Sequence, residues 1–401
     1  MDVNELAKAE RLSALIYLDN FETGPLSEVV PKIIKQQEKW PCKMDQREWF
    51  KVTDGILADK SLKQMKVLEI EEIDGHRAIL FGDINGHGYV VFRGTGNDEE
   101  WEDNARGMVD ADTKRQQMAA NFVKKVYKQF KYIIVAGHSK GGNKAQYAAI
   151  TLPEACVDRC YSFDGQGFSI AFFEKYKEAI KKRKSIIHLV SERRGFVHAL
   201  GLMIDDTSYY VGRRGTPRIG YPHGDSLPYF HCPDALRNIS GDIGPKSEQN
   251  LIPSTVNRLV EHFLKTPKYS PYWETTAQGL VSIMAQKKER AAPFIEESAV
   301  ARLLLVFIDL MATDKSFSKQ VIEMALKETD VWLATFDTDM IKKITHKFAS
   351  LLSKDIHAQY NFKKALGHIP ILRKKLITGR QAKLYGHIAH TVSIILKASR
   401  P

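Results

Sequence analysis

A serine flanked by two glycines, Gly137-His-Ser-Lys-Gly141, is the part of this chain best suited to chemistry. The run Tyr132 to Ala136 leading into it is apolar with β character, and Asn143 to Ile150 after it is compatible with a helix. Strand, G-x-S-x-G and helix in that order describe a nucleophile elbow, in which a sharp turn lifts a serine hydroxyl above the edge of a sheet. Both glycines are required, because side chains at 137 and 141 would collide with the neighbouring strand or helix. A plain glycine turn is the other reading of the same residues. If Ser139 is a nucleophile, a base must take its proton and N–H donors must face the oxyanion that forms. The Lys140 backbone N–H, directly after the serine, is the first such donor.

The elements needed to position these groups can be read from the pattern. Residues 5 to 38 read as helix, with Leu6, Leu12, Leu15 and Ile16 and later Val29, Val30 and Ile33 at amphipathic spacing. Three strands follow, 66–71, 77–82 and 89–93, punctuated by the hairpin signals Asp74-Gly75 and Asn85-Gly86, so an antiparallel meander is expected. A long helix is expected over Thr113 to Phe130. Beyond the elbow, a strand at Tyr161–Phe163, a helix from Ile170 to Lys182 and a strand at Ser185–Val190 alternate as a parallel sheet requires. Loops with a short hairpin are expected from Tyr209 to His231, and everything after Ser254 has a helical pattern. Its clearest apolar stripe is Met340, Ile341, Ile344, Phe348, Leu351, Leu352 and Ile356. The fold class expected is α/β, a mostly parallel sheet flanked by helices over 1–238, with an all-helical, basic C-terminal domain over 239–401.

With 401 residues, 43% hydrophobic and 27% charged, the chain has the composition of a soluble globular protein with a sizeable core. The stretch Ala299 to Ala312 is apolar but carries Arg302 and Asp309 and is too short to span a bilayer, so it reads as a buried helix. No basic n-region precedes an apolar h-region at the N-terminus, which leads to the expectation of a cytoplasmic protein, with peripheral membrane association or non-Sec export left open. Four scattered cysteines make no disulfide framework, and Cys156/Cys160 have no second ligand pair, so a zinc site is not expected. Residues 341–401 hold 13 Lys/Arg against the single acid Asp355, while the first 340 residues are nearly neutral within a total of +11. Such a tail suits an anionic membrane surface or is simply a lysine-rich helical exterior; it lacks the interleaved aromatics that stacking on nucleic acid would need.

Val91-Phe-Arg-Gly-Thr95, a downstream Trp101 and Gly137-His-Ser-Lys-Gly-Gly142 resemble the class 3 lipases of the α/β-hydrolase fold. The closer likeness is to a bacterial branch with the elbow G-H-S-K-G-G-N and a following strand ending S-F-D-G-x-G-F, here Ser162-Phe-Asp-Gly-Gln-Gly-Phe168. The match covers about residues 10 to 235. It implies hydrolysis of an ester or lipid without metal or cofactor, with partners in the order serine, acid, histidine.

In that order the base lies beyond Ser139. His188 sits in an apolar strand and reads as core, and His198 sits in a helix-like run. His223, in Pro222-His-Gly-Asp225, lies where the family places its catalytic histidine and is the expected base, with His231 next. Asp164 closes the strand after the elbow helix and is the expected orienting acid, although a turn-forming aspartate would look the same. Glu192 occupies the place where the family usually has its aspartate, in Ser191-Glu-Arg-Arg194, and is the alternative; the two arginines suggest an ordinary surface ion pair. Thr95 matches the family residue that gives a second oxyanion N–H, with its hydroxyl as a further candidate donor; a strand-ending hydroxyl capping a turn is the plainer reading. Arg93 reads as structural. The Lys140 side chain either favours an acidic substrate or is solvated. A protein that keeps the fold but binds a membrane or partner without catalysis, and a hydrolase of amides or thioesters, are the competing functions.

Overall fold

The computed structural model describes residues 2–42, 44–212, 230–238, 240–285, 293–327, 348, 352 and 356–366. The chain forms two compact units, Met1–Gln249 and Asn250–Pro401.

The first unit is an α/β fold built on one sheet of nine strands that lie in chain order. The elements are α1 Val3–Leu15, β1 Gly24–Pro25, α2 Leu26–Gln36, α3 Gln46–Ala58, α4 Lys60–Lys63, β2 Lys66–Ile73, β3 His76–Gly82, β4 His87–Phe92, α5 Asp98–Gly107, α6 Lys114–Val126, β5 Tyr132–His138, α7 Lys140–Thr151, β6 Arg159–Phe163, α8 Ile170–Lys175, α9 Lys177–Arg183, β7 Ile187–Glu192, β8 Thr207–Tyr210 and β9 Lys246–Ser247. β4 through β8 run parallel, and β1 to β4 and β8 to β9 pair antiparallel.

The expected meander is present as β2–β3–β4. Its first turn is a two-residue hairpin, with Ile73 opposite His76 and both Asp74 (φ 49°) and Gly75 (φ 81°) left-handed, as a type I′ turn demands. Because side chains alternate across a strand, the sheet divides its apolar residues between two layers. Ile79, Phe81, Val91, Ile134 and Ala136 pack with α1, α2 and α3 on one face. Ala78, Leu80, Val90, Phe92, Ile133 and Val135 pack with α6 and α7 on the other. This leaves the carboxyl ends of β4, β5, β6 and β7 as one open edge, where open α/β sheets place their ligands.

Two expectations are corrected, and one helix is added. The helix read over 5–38 is two, since Asn20 (φ 64°) and Gly24 (φ 145°) take left-handed backbone and Gly24–Pro25 pairs with Lys66–Val67. The helix read over 170–182 breaks at Tyr176 into α8 and α9. The unread α3 was signalled by Asp45 and Glu48, which form a reciprocal capping box.

The described part of the second unit from Leu251 on is helical: Leu251–Lys265, Trp273–Ala285, Pro293–Thr313, Lys315–Lys327 and Ile356–Leu366. The Ala299–Ala312 stretch lies inside the third of these, where Asp309 binds both His262 (3.0 Å) and Asn361 (2.6 Å). Among the described residues no helix is long and apolar enough to cross a membrane. Of the 340–356 stripe, only Phe348, Leu352 and Ile356 are described, and the first two are buried; most of the basic tail over 341–401 lies outside the described residues.

Candidate active site

β5 ends at His138, and the chain turns into α7 at Ser139 with φ 58° and ψ −128°. Such backbone is rare for a residue with a side chain and costs on the order of 1–3 kcal/mol. It persists because its surroundings leave no room for anything else. The Ser139 N–H donates to the Phe163 carbonyl at 3.0 Å, and the Ser139 carbonyl accepts from Gly142 (2.9 Å) and Asn143 (3.2 Å). A Cβ at Gly137 would stand 2.3 Å from the Gly141 carbonyl carbon, and one at Gly141 would stand 2.0 Å from the Phe92 oxygen. The two glycines therefore let strand β4, strand β5 and helix α7 touch backbone to backbone. The serine side chain is left partly exposed.

Asp164 follows β6 in left-handed backbone (φ 44°), its N–H bonded to the Val190 carbonyl at 2.7 Å. Its carboxylate meets two imidazoles. His231 Nδ1 lies 2.5 Å from Oδ2, and His231 Nε2 lies 2.9 Å from Ser139 Oγ. On the other oxygen, His198 supplies Nδ1 at 2.6 Å and its backbone N–H at 3.1 Å. His198 Nε2 also meets the Tyr209 hydroxyl and the Gln249 amide, both at 3.2 Å. Asp164 is 5% exposed, and burial alone would raise its pKa. The His231 charge, hydrogen bonds from His198 and His231, and the His198 charge outweigh burial and hold the carboxyl well below its usual range.

His223 lies outside the described residues. The imidazole standing between Ser139 and Asp164 is His231, eight positions further along the same region, which the sequence reading ranked second. Glu192, the alternative acid, bonds to no histidine among the described residues. It is buried, its Oε2 accepts the Arg194 N–H at 2.6 Å, and burial pushes its pKa up to about 7. It is not the surface ion-paired glutamate that its sequence neighbours suggested. His188 is half-buried on β7 beside Arg159 (3.2 Å), and burial lowers its pKa to about 4.

One further residue of the motif contributes in a way that the sequence did not signal. His138 packs its ring against His231, centroids 4.6 Å apart, and its Nδ1 meets the Tyr17 hydroxyl at 2.8 Å. Burial first, and the neighbouring His231 second, keep His138 far below the usual imidazole range, so it stays neutral.

The loop after β4, Arg93 to Gly96, runs alongside the elbow. Thr95 Oγ1 accepts from Asn104 Nδ2 at 2.8 Å, while the Thr95 and Lys140 backbone N–H groups donate to no other described residue. Arg93 donates to the Gly75 carbonyl at 2.6 Å and lies 3.8 Å from Glu72, a structural role. The Lys140 side chain is neither solvated nor aimed at substrate. It is 1% exposed and pairs with Asp103 at 2.8 Å.

Among the described residues, no group of three or more His, Cys, Asp or Glu is arranged to hold a metal ion. A cavity of about 440 Å³ lined by Asp74, Asn97, Glu102, Asp103, Arg106 and Arg115 includes none of Ser139, Asp164 or His231 in its wall.

Over residues 60–210, well under half of the chain, the sequence matches the family described as Mbeg1-like. The matched stretch runs from α4 to the end of β8, so it takes in Thr95, Ser139, Lys140 and Asp164 and stops before His231. No curated protein matches the chain.

Proposed function

We propose that this protein is a serine hydrolase of carboxylic esters, lipid or acyl esters among them, working through an acyl-enzyme. One observation carries the reading: Ser139 Oγ, His231 and Asp164 form a continuous hydrogen-bonded line, 2.9 and 2.5 Å, at the carboxyl edge of a parallel sheet. In this reading His231 Nε2 takes the Ser139 proton as Oγ bonds to the ester carbonyl carbon, and the carbonyl π electrons move onto oxygen. Asp164 fixes the His231 tautomer with the proton on Nδ1 and stabilises the imidazolium. The Lys140 and Thr95 N–H groups receive the oxyanion. Collapse breaks the bond to the leaving alkoxide, which takes the proton back from His231 and departs as the alcohol. Water then enters by the same route, gives its proton to His231 and releases the acid. The similarity to the Mbeg1-like family supports a hydrolase-like fold for the stretch that holds the serine and the aspartate. The base in this proposal is His231 in place of His223.

A fluorophosphonate probe and short p-nitrophenyl esters test it. The wild-type protein is expected to label and to turn over, and Ser139→Ala to do neither. His231→Ala should cost at least about 10³-fold in kcat, as loss of a triad base does, while His223→Ala should cost little. Labelling that survives Ser139→Ala would remove the proposal, and the reverse order of the two histidine variants would return the base to His223.

The charge imbalance favours a second role for the chain outside this site. We propose that residues 341–401, with 13 Lys/Arg and one acid, dock the protein on an anionic lipid surface.

A further inference from the structure

One buried ion pair grips the loop that carries Thr95 at both of its ends. Lys144 lies one helical turn beyond Lys140 on α7, and its Nζ stands 2.6 Å from Glu100 Oε1 on α5, both side chains fully buried. The same ammonium donates to the Arg93 carbonyl at 3.2 Å, where the loop begins. The other oxygen of the carboxylate, Oε2, accepts the Gly96 N–H at 2.6 Å, where the loop ends. Only Gly94 and Thr95 lie between the two anchors. Gly94 is pressed from the side, since a Cβ there would meet the Tyr17 hydroxyl at 1.9 Å and the His138 carbonyl at 2.9 Å. Asn104, on the same helix as Glu100, donates to the Thr95 hydroxyl oxygen at 2.8 Å and so ties the Thr95 side chain to that helix as well.

Stability does not explain such a pair. Taking two charges out of water costs several kcal/mol each, and apolar replacements of similar volume are often as stable or more so. The pair does supply direction. A carbonyl needs a donor and an N–H needs an acceptor, so an ammonium at one end and a carboxylate at the other admit one orientation of the peptides between them. The ammonium is rooted in the helix that starts at the elbow, so the loop and the Lys140 N–H share one rigid frame.

We infer that Lys144 and Glu100 are positioning residues that hold the Thr95 N–H in register with the Lys140 N–H for the oxyanion. This inference rests on the serine hydrolase reading. Neither side chain touches substrate; the pair acts through the loop.

Ester hydrolysis by the full chain tests it, with kcat normalised to sites titrated by fluorophosphonate so that any unfolded fraction drops out. Wild type is compared with Glu100→Gln/Lys144→Met and with the exchanged pair Glu100→Lys/Lys144→Glu. The first keeps volume without charge. The second keeps opposite charges but turns an ammonium toward the Gly96 N–H and a carboxylate toward the Arg93 carbonyl. Both are expected to lose about 10- to 100-fold in kcat with KM within about threefold of wild type, part of what losing one oxyanion donor costs. Glu100→Gln alone gives the same split should the double variants accumulate too little protein. Titrated variants that turn over within about twofold of wild type would overturn the inference, and so would a loss carried entirely by KM. Wild-type protein that takes no probe at Ser139 sinks the hydrolase reading itself; labelled wild type with unaffected variants sinks only the role of the pair.

Discussion

At the scale of single residues, the site is made of groups held where they would not settle alone. Ser139 and Asp164 both occupy left-handed backbone, and each is pinned by a backbone bond to the end of the next strand. The Asp164 carboxylate spends one oxygen on His231 and the other on His198, so it cannot rotate without breaking two hydrogen bonds. Glu192 shows the opposite electrostatics. It has burial without a cation at bonding distance among the described residues, and its pKa rises to about 7. A carboxyl with a raised folded pKa binds its proton more tightly in the native state than in the unfolded chain. Its contribution to stability is therefore greatest at low pH and is lost between the unfolded value, near 4.5, and about 7. Glu192→Gln removes this penalty and can keep the Arg194 amide bond. The stability gained by Glu192→Gln over wild type should grow by on the order of 2 kcal/mol between pH 5 and pH 8. Urea denaturation at the two pH values measures it, and a difference that stays flat would refute the burial argument.

Elements set the precision with which those residues meet. Strand β4 and helix α7 approach so closely that Gly141 touches the Phe92 carbonyl, and the elbow exists only because no Cβ intervenes. Gly86, in the turn after β3, makes a useful contrast, since its φ is +80° but nothing lies within 4 Å of a Cβ placed there. Gly86→Ala should cost about 1 kcal/mol, the strain of an alanine at positive φ. Gly141→Ala, at ordinary φ, should cost more than about 2 kcal/mol, because backbone on both sides must move. If thermal or chemical unfolding ranks Gly141→Ala no worse than Gly86→Ala, the close packing inferred for the elbow is wrong. The Lys140–Asp103 and Lys144–Glu100 pairs join α7 to α5 in the same way, by contacts that tolerate little displacement.

On the scale of the whole molecule, charge and chemistry are separated along the chain. The candidate site lies within the first unit, and the first 340 residues are close to neutral, whereas 341–401 carry all of the excess positive charge. Electrostatic docking of that tail predicts a specific dependence on lipid and salt. The full-length protein should sediment with vesicles containing phosphatidylserine and stay in solution with phosphatidylcholine alone. Binding should weaken as salt is raised from well below to well above the physiological range, since screening shortens the reach of surface charge to about 8 Å at 0.15 M. Equal sedimentation with both vesicle types would remove the membrane proposal and leave the lysines as an ordinary solvated exterior.

What could be read directly from the amino acids was whatever short-range backbone physics dictates. The alternation of strands and helices, the Asp74-Gly75 hairpin and the sharp bend between Gly137 and Gly141 follow from period and from glycine, so their placement needed no knowledge of distant contacts. The paired signal of Asp45 and Glu48 was present too and would have revealed α3. Which imidazole reaches Ser139 was a different kind of question. His223 and His231 belong to one irregular stretch without periodicity, and only the folded chain brings residue 231 to residue 139, 92 positions away. The second histidine on Asp164, the neutral His138 packed against His231 and the two buried lysines of α7 were equally out of reach. A charged or polar residue is called solvated by default, and its burial is decided by partners that are far off in sequence and close only after folding.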